Sequence, residues 1–192
     1  MMQIASSRQL RAAFWRWALF LVPAILLLGF LSGRVSGSGP DNPWFAALVK
    51  PDIYPPAAVF GIVWSALYVL MALALAQVLT APGARGRWLA VGIFLLQLAL
   101  NLAWSPLFFA AHRLSGSLAL IGGLDVVLLL TVVLFARVRV LAGLLLVPYL
   151  GWVLFATVLN WQFLVLNPDA DGQPSSGAVV RLQIGFLSLI HI

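Results

Sequence analysis

The chain contains no cysteine. Disulfides, thiolate nucleophiles and cysteine metal sites are therefore excluded in any redox compartment. Charge is also scarce: charged residues make up 8% of the sequence, against about 25% in an ordinary soluble domain. That rules out a disordered chain, a soluble enzyme of ordinary type and a small secreted domain. No mixed, charged stretch is long enough to form a separate soluble domain. Lys plus Arg number 11 and Asp plus Glu 5. The cations stand singly between apolar runs instead of gathering on one face. This argues against nucleic acid as a partner and for residues that orient a protein in a membrane. The two histidines, His112 and His191, have no second ligand nearby in sequence and make no haem or metal case. A phosphate loop, a Gly-x-Gly-x-x-Gly turn and a compelling Ser-His-Asp spacing are all missing. So are the rings of charge expected of a channel and the internal repeats of doubled transporters.

What the sequence has is apolar length. Hydrophobic residues make up 63% of its 192 positions. Five apolar segments stand out, at residues 17–31 (extending to Phe14 if Arg16 snorkels), 57–79, 88–111, 118–135 and 140–166. About 20 helical residues cross a bilayer core about 30 Å thick. The runs do not alternate apolar with polar as barrel strands do, and backbone in lipid must pair internally, so they read as helices. The expected fold is an all-α membrane protein, a five-helix transmembrane bundle spanning residues 1–166, followed by a tail of unknown role at 167–192. Arg8, Arg11 and Arg16 precede the first segment, but no small-x-small cleavage site leads into a soluble domain, so the segment reads as the first span rather than a signal peptide.

Most connections are short and force antiparallel neighbours. The exception is residues 32–56. This stretch is rich in Gly and Pro yet carries Trp44, Phe45 and Tyr54, more aromatics than a solvated linker needs. It is expected to fold back over one end of the bundle. Seven basic residues lie on the side of the N-terminus and four on the other. The positive-inside rule then places the N-terminus in the cytoplasm, with the long loop and the C-terminus outside.

Polar residues inside spans need reasons. A carboxylate in a bilayer costs about 3 kcal/mol or more, and Asp125 is the one acid within a span. It reads either as a ligand or proton-linked group or as a hydrogen-bond partner for a facing helix. Gln97, Asn101, Trp104 and Phe108 fall on one helical face. The two amides, like Asn160, read as interhelical glue or as pocket lining. Pro148 is expected to bend its helix and Pro106 to bend or end its own. Of eight tryptophans, Trp15, Trp17, Trp88 and Trp161 fit the interfacial belt. Trp44, Trp64 and Trp152 are the better candidates for stacking on a flat ligand.

Four stretches, taken in order on five spans, carry a resemblance. They are Trp44, Phe45, Lys50 and Pro51 with Tyr54-Pro55-Pro56 and Val59-Phe60-Gly61; Trp64, Leu67, Tyr68, Leu70 and Met71; Gln97, Asn101, Trp104, Ser105, Phe108 and Phe109; and Pro148, Tyr149, Trp152, Ala156, Leu159, Asn160 and Trp161. The chain resembles the tryptophan-rich sensory protein and translocator protein family, the peripheral-type benzodiazepine receptors, and among them a bacterial member. The resemblance implies a five-helix bundle, often a homodimer, whose first loop closes a ligand pocket. It implies binding of tetrapyrroles such as porphyrin or haem, with no separate cofactor required, and a regulatory or stress-sensing role. Transport of such ligands and light-dependent porphyrin breakdown are the alternatives it carries. Trp44 and Pro51 would belong to the lid, and Trp64, Asn101, Trp104, Phe108, Asp125, Trp152 and Ala156 to the pocket. One departure is plain: no Lys or Arg follows Tyr149 until Arg181, so the family's cholesterol pattern is incomplete here.

Overall fold

Backbone amides in a bilayer find no water, so each long apolar run closes its own hydrogen bonds as a helix. The computed structural model describes residues 6–173, and the part of the expected tail beyond them, with Arg181 and the apolar run 179–192, lies outside the described residues. Among the described residues, five helices are long and apolar enough to cross a membrane. Helix α1 spans Ser7–Val35, α3 Ala57–Leu79, α4 Arg87–Ser105, α5 Leu114–Val138 and α6 Val140–Leu166; a short α2, Pro43–Ala47, sits in the first loop. No strand occurs among the described residues.

Helix α1 runs well past the expected 17–31. It opens with a capping box in which Ser6 Oγ accepts from the Gln9 amide at 3.3 Å and Gln9 Oε1 from the Ser6 amide at 2.8 Å. Its 29 residues make a rod of about 43 Å, longer than the hydrocarbon core. The turns bearing Arg8, Arg11 and Arg16 stand outside the apolar layer, where hydropathy no longer marks them. Helix α4 changes at Pro106. Proline offers no N–H, and the chain continues to Ala110 as one π-helical turn, the Ala111 amide donating to Pro106 O at 2.9 Å. Helix α6 continues unbroken through Pro148. Between α5 and α6 a single residue, Arg139, is extended (φ −152°, ψ 121°).

Helix contacts run in the ring α1–α3–α6–α5–α4 and back to α1. The end of the ring that holds the start of α1 is solid. Met71, Ala72, Leu75, Val78, Phe94, Leu128, Phe135 and Leu146 are all buried there. The other end is aromatic. Helix α2 inserts Trp44 and Phe45 among Phe108, Leu114, Leu159 and Phe163, so the long loop does close over the bundle. Asn42 caps α2 by accepting from the Phe45 amide at 3.0 Å.

Candidate functional site

Beneath that loop lies a cavity of about 870 Å3, within the roughly 300–1,000 Å3 of small-molecule sites. Its walls come from α1 (Leu26, Gly29, Phe30), α3 (Phe60, Trp64, Tyr68), α4 and its π turn (Asn101, Trp104, Phe108), α5 (Ile121, Leu124) and α6 (Trp152, Ala156, Asn160, Phe163). Phe45 and Tyr54 of the loop cover it.

Helical spacing explains how these side chains converge. Trp64 and Tyr68 are four apart on α3 and stack at 5.4 Å. Trp104 and Phe108 are four apart across the start of the π turn and stack at 4.8 Å. Tyr68 stands where α1 comes closest, because a Cβ on Gly29 would lie 2.1 Å from its ring. Phe60 meets Trp152 edge-on at 5.8 Å, and Trp64 meets Tyr149 at 6.1 Å.

The few polar groups are tied to one another. Tyr68 Oη donates to Asn101 Oδ1 at 3.1 Å. Asn160 Oδ1 accepts from Trp104 Nε1 at 3.1 Å and from Ser117 Oγ at 2.9 Å, while Asn160 Nδ2 donates to Leu114 O at 3.0 Å. Below them, buried Tyr149 Oη donates to Gln97 Oε1 at 3.0 Å. These are interhelical bonds, the glue that membrane amides commonly supply, and two of them also face the cavity. The indole N–H of Trp152 is different: it is buried and has no acceptor among the described residues. A buried unpaired donor costs about 1–3 kcal/mol.

Of the nine residues singled out from the sequence, Trp64, Asn101, Trp104, Phe108, Trp152 and Ala156 line the cavity. The other three stand elsewhere. Trp44 is fully buried above the wall, stacked on His112 at 4.5 Å and edge-on to Phe108 at 5.7 Å. Pro51 is buried in the loop after α2. Asp125 faces α6, where Thr157 Oγ1 donates to its Oδ2 at 2.8 Å. The same hydroxyl lies 3.0 Å from Val153 O, one turn back. Tyr68, Phe60, Tyr54, Phe45 and Phe163 also line the cavity, though none is among those nine. Spacing offered a signal for the first two, which stand four residues to either side of Trp64.

The cover is anchored on several sides. Val49 and Asn167 exchange two hydrogen bonds, of 2.7 and 3.0 Å. Asn42 Nδ2 donates to Phe109 O at 3.2 Å. Lys50 Nζ donates to Phe45 O at 2.5 Å and Leu48 O at 2.8 Å and lies 4.6 Å over the Phe45 ring, closing the end of α2. Partial burial lowers the Lys50 pKa and raises that of Tyr54. The described start of the tail joins this cover: Asp171 accepts from the amide and hydroxyl of Ser115, and the Gly172 amide donates to His112 O at 2.7 Å.

The exposed members of the lining are Pro23, Leu27, Phe30, Ser38, Pro40, Ala57, Gly61 and Ser65. All belong to α1, the loop after it, or α3, so the mouth opens on that side. Among the described residues no three His, Cys, Asp or Glu side chains come close enough to hold a metal.

The sequence matches the TspO/MBR family over residues 20–166. It is 42% identical over 145 residues to the tryptophan-rich protein TspO of Chlorobaculum tepidum, a match covering 74% of this chain and 90% of that one. It is 37% identical over 157 residues to the tryptophan-rich sensory protein of Cereibacter sphaeroides, covering 79% and 92%. To the translocator protein of Homo sapiens it is 37% identical over 139 residues, covering 70% and 80%.

Proposed function

The chain belongs to the TspO/MBR family, and from that premise we propose that it is a multi-pass membrane receptor that takes a tetrapyrrole, porphyrin or haem, into its aromatic cavity and reports it to a regulatory or stress response. The cavity itself carries this reading. It is large, walled by Trp64, Trp104 and Trp152, and holds few polar groups. Flat apolar macrocycles suit such a surface, since aromatic faces stack on them and isolated polar groups fix their orientation. The Trp152 indole N–H is buried without an acceptor among the described residues, and a turn of the ring would bring it to a ligand carboxylate or carbonyl in the cavity. Asn101 and Asn160 are the other candidates for polar contact. The mouth runs from the covering loop down between the apolar stretches of α1 and α3, so a ligand dissolved in the bilayer reaches its lower part without crossing water.

In this reading no further cofactor is needed, the N-terminus is cytoplasmic, and the covering loop is outside. Two copies associate through small residues on outer faces, where exposed Ala99 and Ala103 on α4, or Gly122 and Gly123 on α5, allow close approach.

The test is a dark titration of purified protein with protoporphyrin, followed by tryptophan quenching. Saturable quenching is expected, and its absence sinks the reading. Illumination of the complex then separates a receptor from a photochemical enzyme: breakdown of porphyrin that requires Trp64 and Trp152 would favour the enzyme. Flux of porphyrin into proteoliposomes above that into empty vesicles would favour a transporter.

A further inference from the structure

The end of the bundle remote from the cavity carries Arg8, Arg11, Arg16, Arg85, Arg87, Arg137 and Arg139, and no acid. The five acidic residues are Asp41, Asp52, Asp125, Asp169 and Asp171, all on the cavity side or within α5. Among the described residues none of these seven arginines makes an ion pair.

Two of them converge. Arg87 Nη1 donates to Leu79 O at 2.9 Å, and Arg139 Nη1 donates to Gln77 Oε1 at 2.6 Å. Gln77 and Leu79 belong to the last turn of α3, so guanidinium groups from two different loops each reach the same helix end. A guanidinium has five N–H donors. Among the described residues each uses one here, and Arg87 Nε is shut off from solvent with no acceptor. Capping the end of α3 accounts for the Arg87 bond to Leu79 O, and the Gln77 side chain for the Arg139 bond, but neither accounts for the orphaned Arg87 Nε or for the absence of an acidic side-chain partner among the described residues. Helices α4 and α6 begin at the same place without a side-chain cap or an acidic first turn, so their free amides add to the positive potential.

The surroundings choose the anion. Directly beside the arginines, on the membrane side, Trp88 and Leu89 of α4 are 74% and 61% exposed, and Val140 of α6 is 67% exposed. Arg87 lies 5.8 Å over the Trp88 ring, and an exposed tryptophan at a helix end marks the level of the lipid headgroups. A free phosphate would use the arginines only. A phospholipid would use both, its phosphate on the guanidinium groups and its chains on the apolar first turns.

We propose that Arg87 and Arg139, flanked by Arg85 and Arg137, form a seat for the headgroup phosphate of an anionic phospholipid at the shared end of α3, α4 and α6. Planar guanidinium groups match phosphate oxygens in pairs, which a diffuse positive rim does not.

The full chain in a neutral detergent is titrated with short-chain phosphatidylglycerol, phosphatidylcholine and glycerol phosphate, with occupancy read by native mass spectrometry. Saturable binding of phosphatidylglycerol is expected, with weaker binding of phosphatidylcholine and none of glycerol phosphate. Arg87→Gln with Arg139→Gln should weaken phosphatidylglycerol binding by about fivefold per arginine, and Arg8→Gln with Arg11→Gln much less. Equal losses from the two pairs would mean general surface charge and overturn the seat. So would equal affinity for the two lipids, or glycerol phosphate binding as tightly as phosphatidylglycerol. Should the first pair not fold, Arg85→Gln with Arg137→Gln, both exposed, replaces it, and an unchanged affinity there overturns the proposal. Porphyrin binding plays no part in these readouts.

Discussion

Gly29 and Gly143 sit in opposite ends of the bundle, and the difference between them is the difference between its solid and hollow halves. Both stand in long helices, and at both a Cβ would collide. At Gly143 it would lie 2.6 Å from Ala136 Cβ and 2.9 Å from Ala136 Cα and N. Helices α5 and α6 are joined by Arg139 alone, so their axes are pinned together three or four residues from the turn, and the obstacle is backbone. At Gly29 the obstacle is the ring edge of Tyr68, and behind that ring is the cavity. One glycine is needed for the helices to touch. The other is needed for a cavity wall to stay where it is.

The sharpest way to break this contrast is Gly143→Leu. A backbone obstacle cannot swing aside, so the hairpin must open, and overpacking of this kind costs about 3 kcal/mol. We expect a clear loss of thermal stability in detergent, with porphyrin affinity per folded molecule retained. Unchanged stability would mean that the solid half is not solid.

In the hollow half the largest effect should come from Trp152→Ala, which removes a cavity wall that also packs on the core. Loss of a buried aromatic anchor costs roughly 2 kcal/mol of binding, about thirtyfold in Kd per folded molecule, and the melting temperature of the ligand-free protein should fall as well, because the ring packs on the core and on Phe60 and Phe155. An unchanged Kd in the quenching titration would take Trp152 out of the site. Trp152→Phe keeps the ring and deletes the orphaned N–H. If that donor meets the ligand, binding weakens by about 1 kcal/mol. If it does not, removing an unsatisfied buried donor stabilises the ligand-free protein and leaves Kd alone.

The two halves also differ in how far the sequence revealed them. Five spans were legible because a bilayer imposes length, and runs at 57–79 and 140–166 need no subtler signal. The start of α1 was not, since its first turns carry Arg8 and Arg11 beyond the apolar layer. Helix α2 had a readable beginning, Asn42 followed by Pro43 at the first helical position, hidden inside a stretch that looked like loop. Which residues face the cavity was harder. Helix α3 is apolar all round, so periodicity carries no facing information. Residue size carries it instead. Ala72, Ala74, Ala76 and Val78 lie in the solid half of α3, and Phe60, Trp64 and Tyr68 in the hollow half. The resemblance pointed to Trp64, Asn101, Trp104, Phe108, Trp152 and Ala156, which line the cavity. It could not tell that Trp44 packs on His112 above the wall, or that Asp125 turns towards Thr157. Those are questions of side-chain direction, which a family pattern does not encode.

The smallest expected effect is the most discriminating, and it returns to Gly29. Gly29→Ala adds one methyl group where only a ring edge stands in the way. Alanine favours a helix over glycine by about 1 kcal/mol, which offsets the cost of turning Tyr68 towards the cavity. Turning the ring strains its hydrogen bond to Asn101 and its stack on Trp64. It also narrows the space between α1 and α3 at the mouth. The expected outcome is a melting temperature close to that of the parent, with porphyrin binding weaker by roughly threefold, under 1 kcal/mol. Tyr68→Phe in the same background separates the two contributions. If the lost affinity comes from the displaced ring, releasing it from Asn101 lets it settle and recovers part of the binding. If Gly29→Ala instead costs as much stability as Gly143→Leu, then α1 cannot yield either, and the space beside Tyr68 is not available to a side chain or to a ligand.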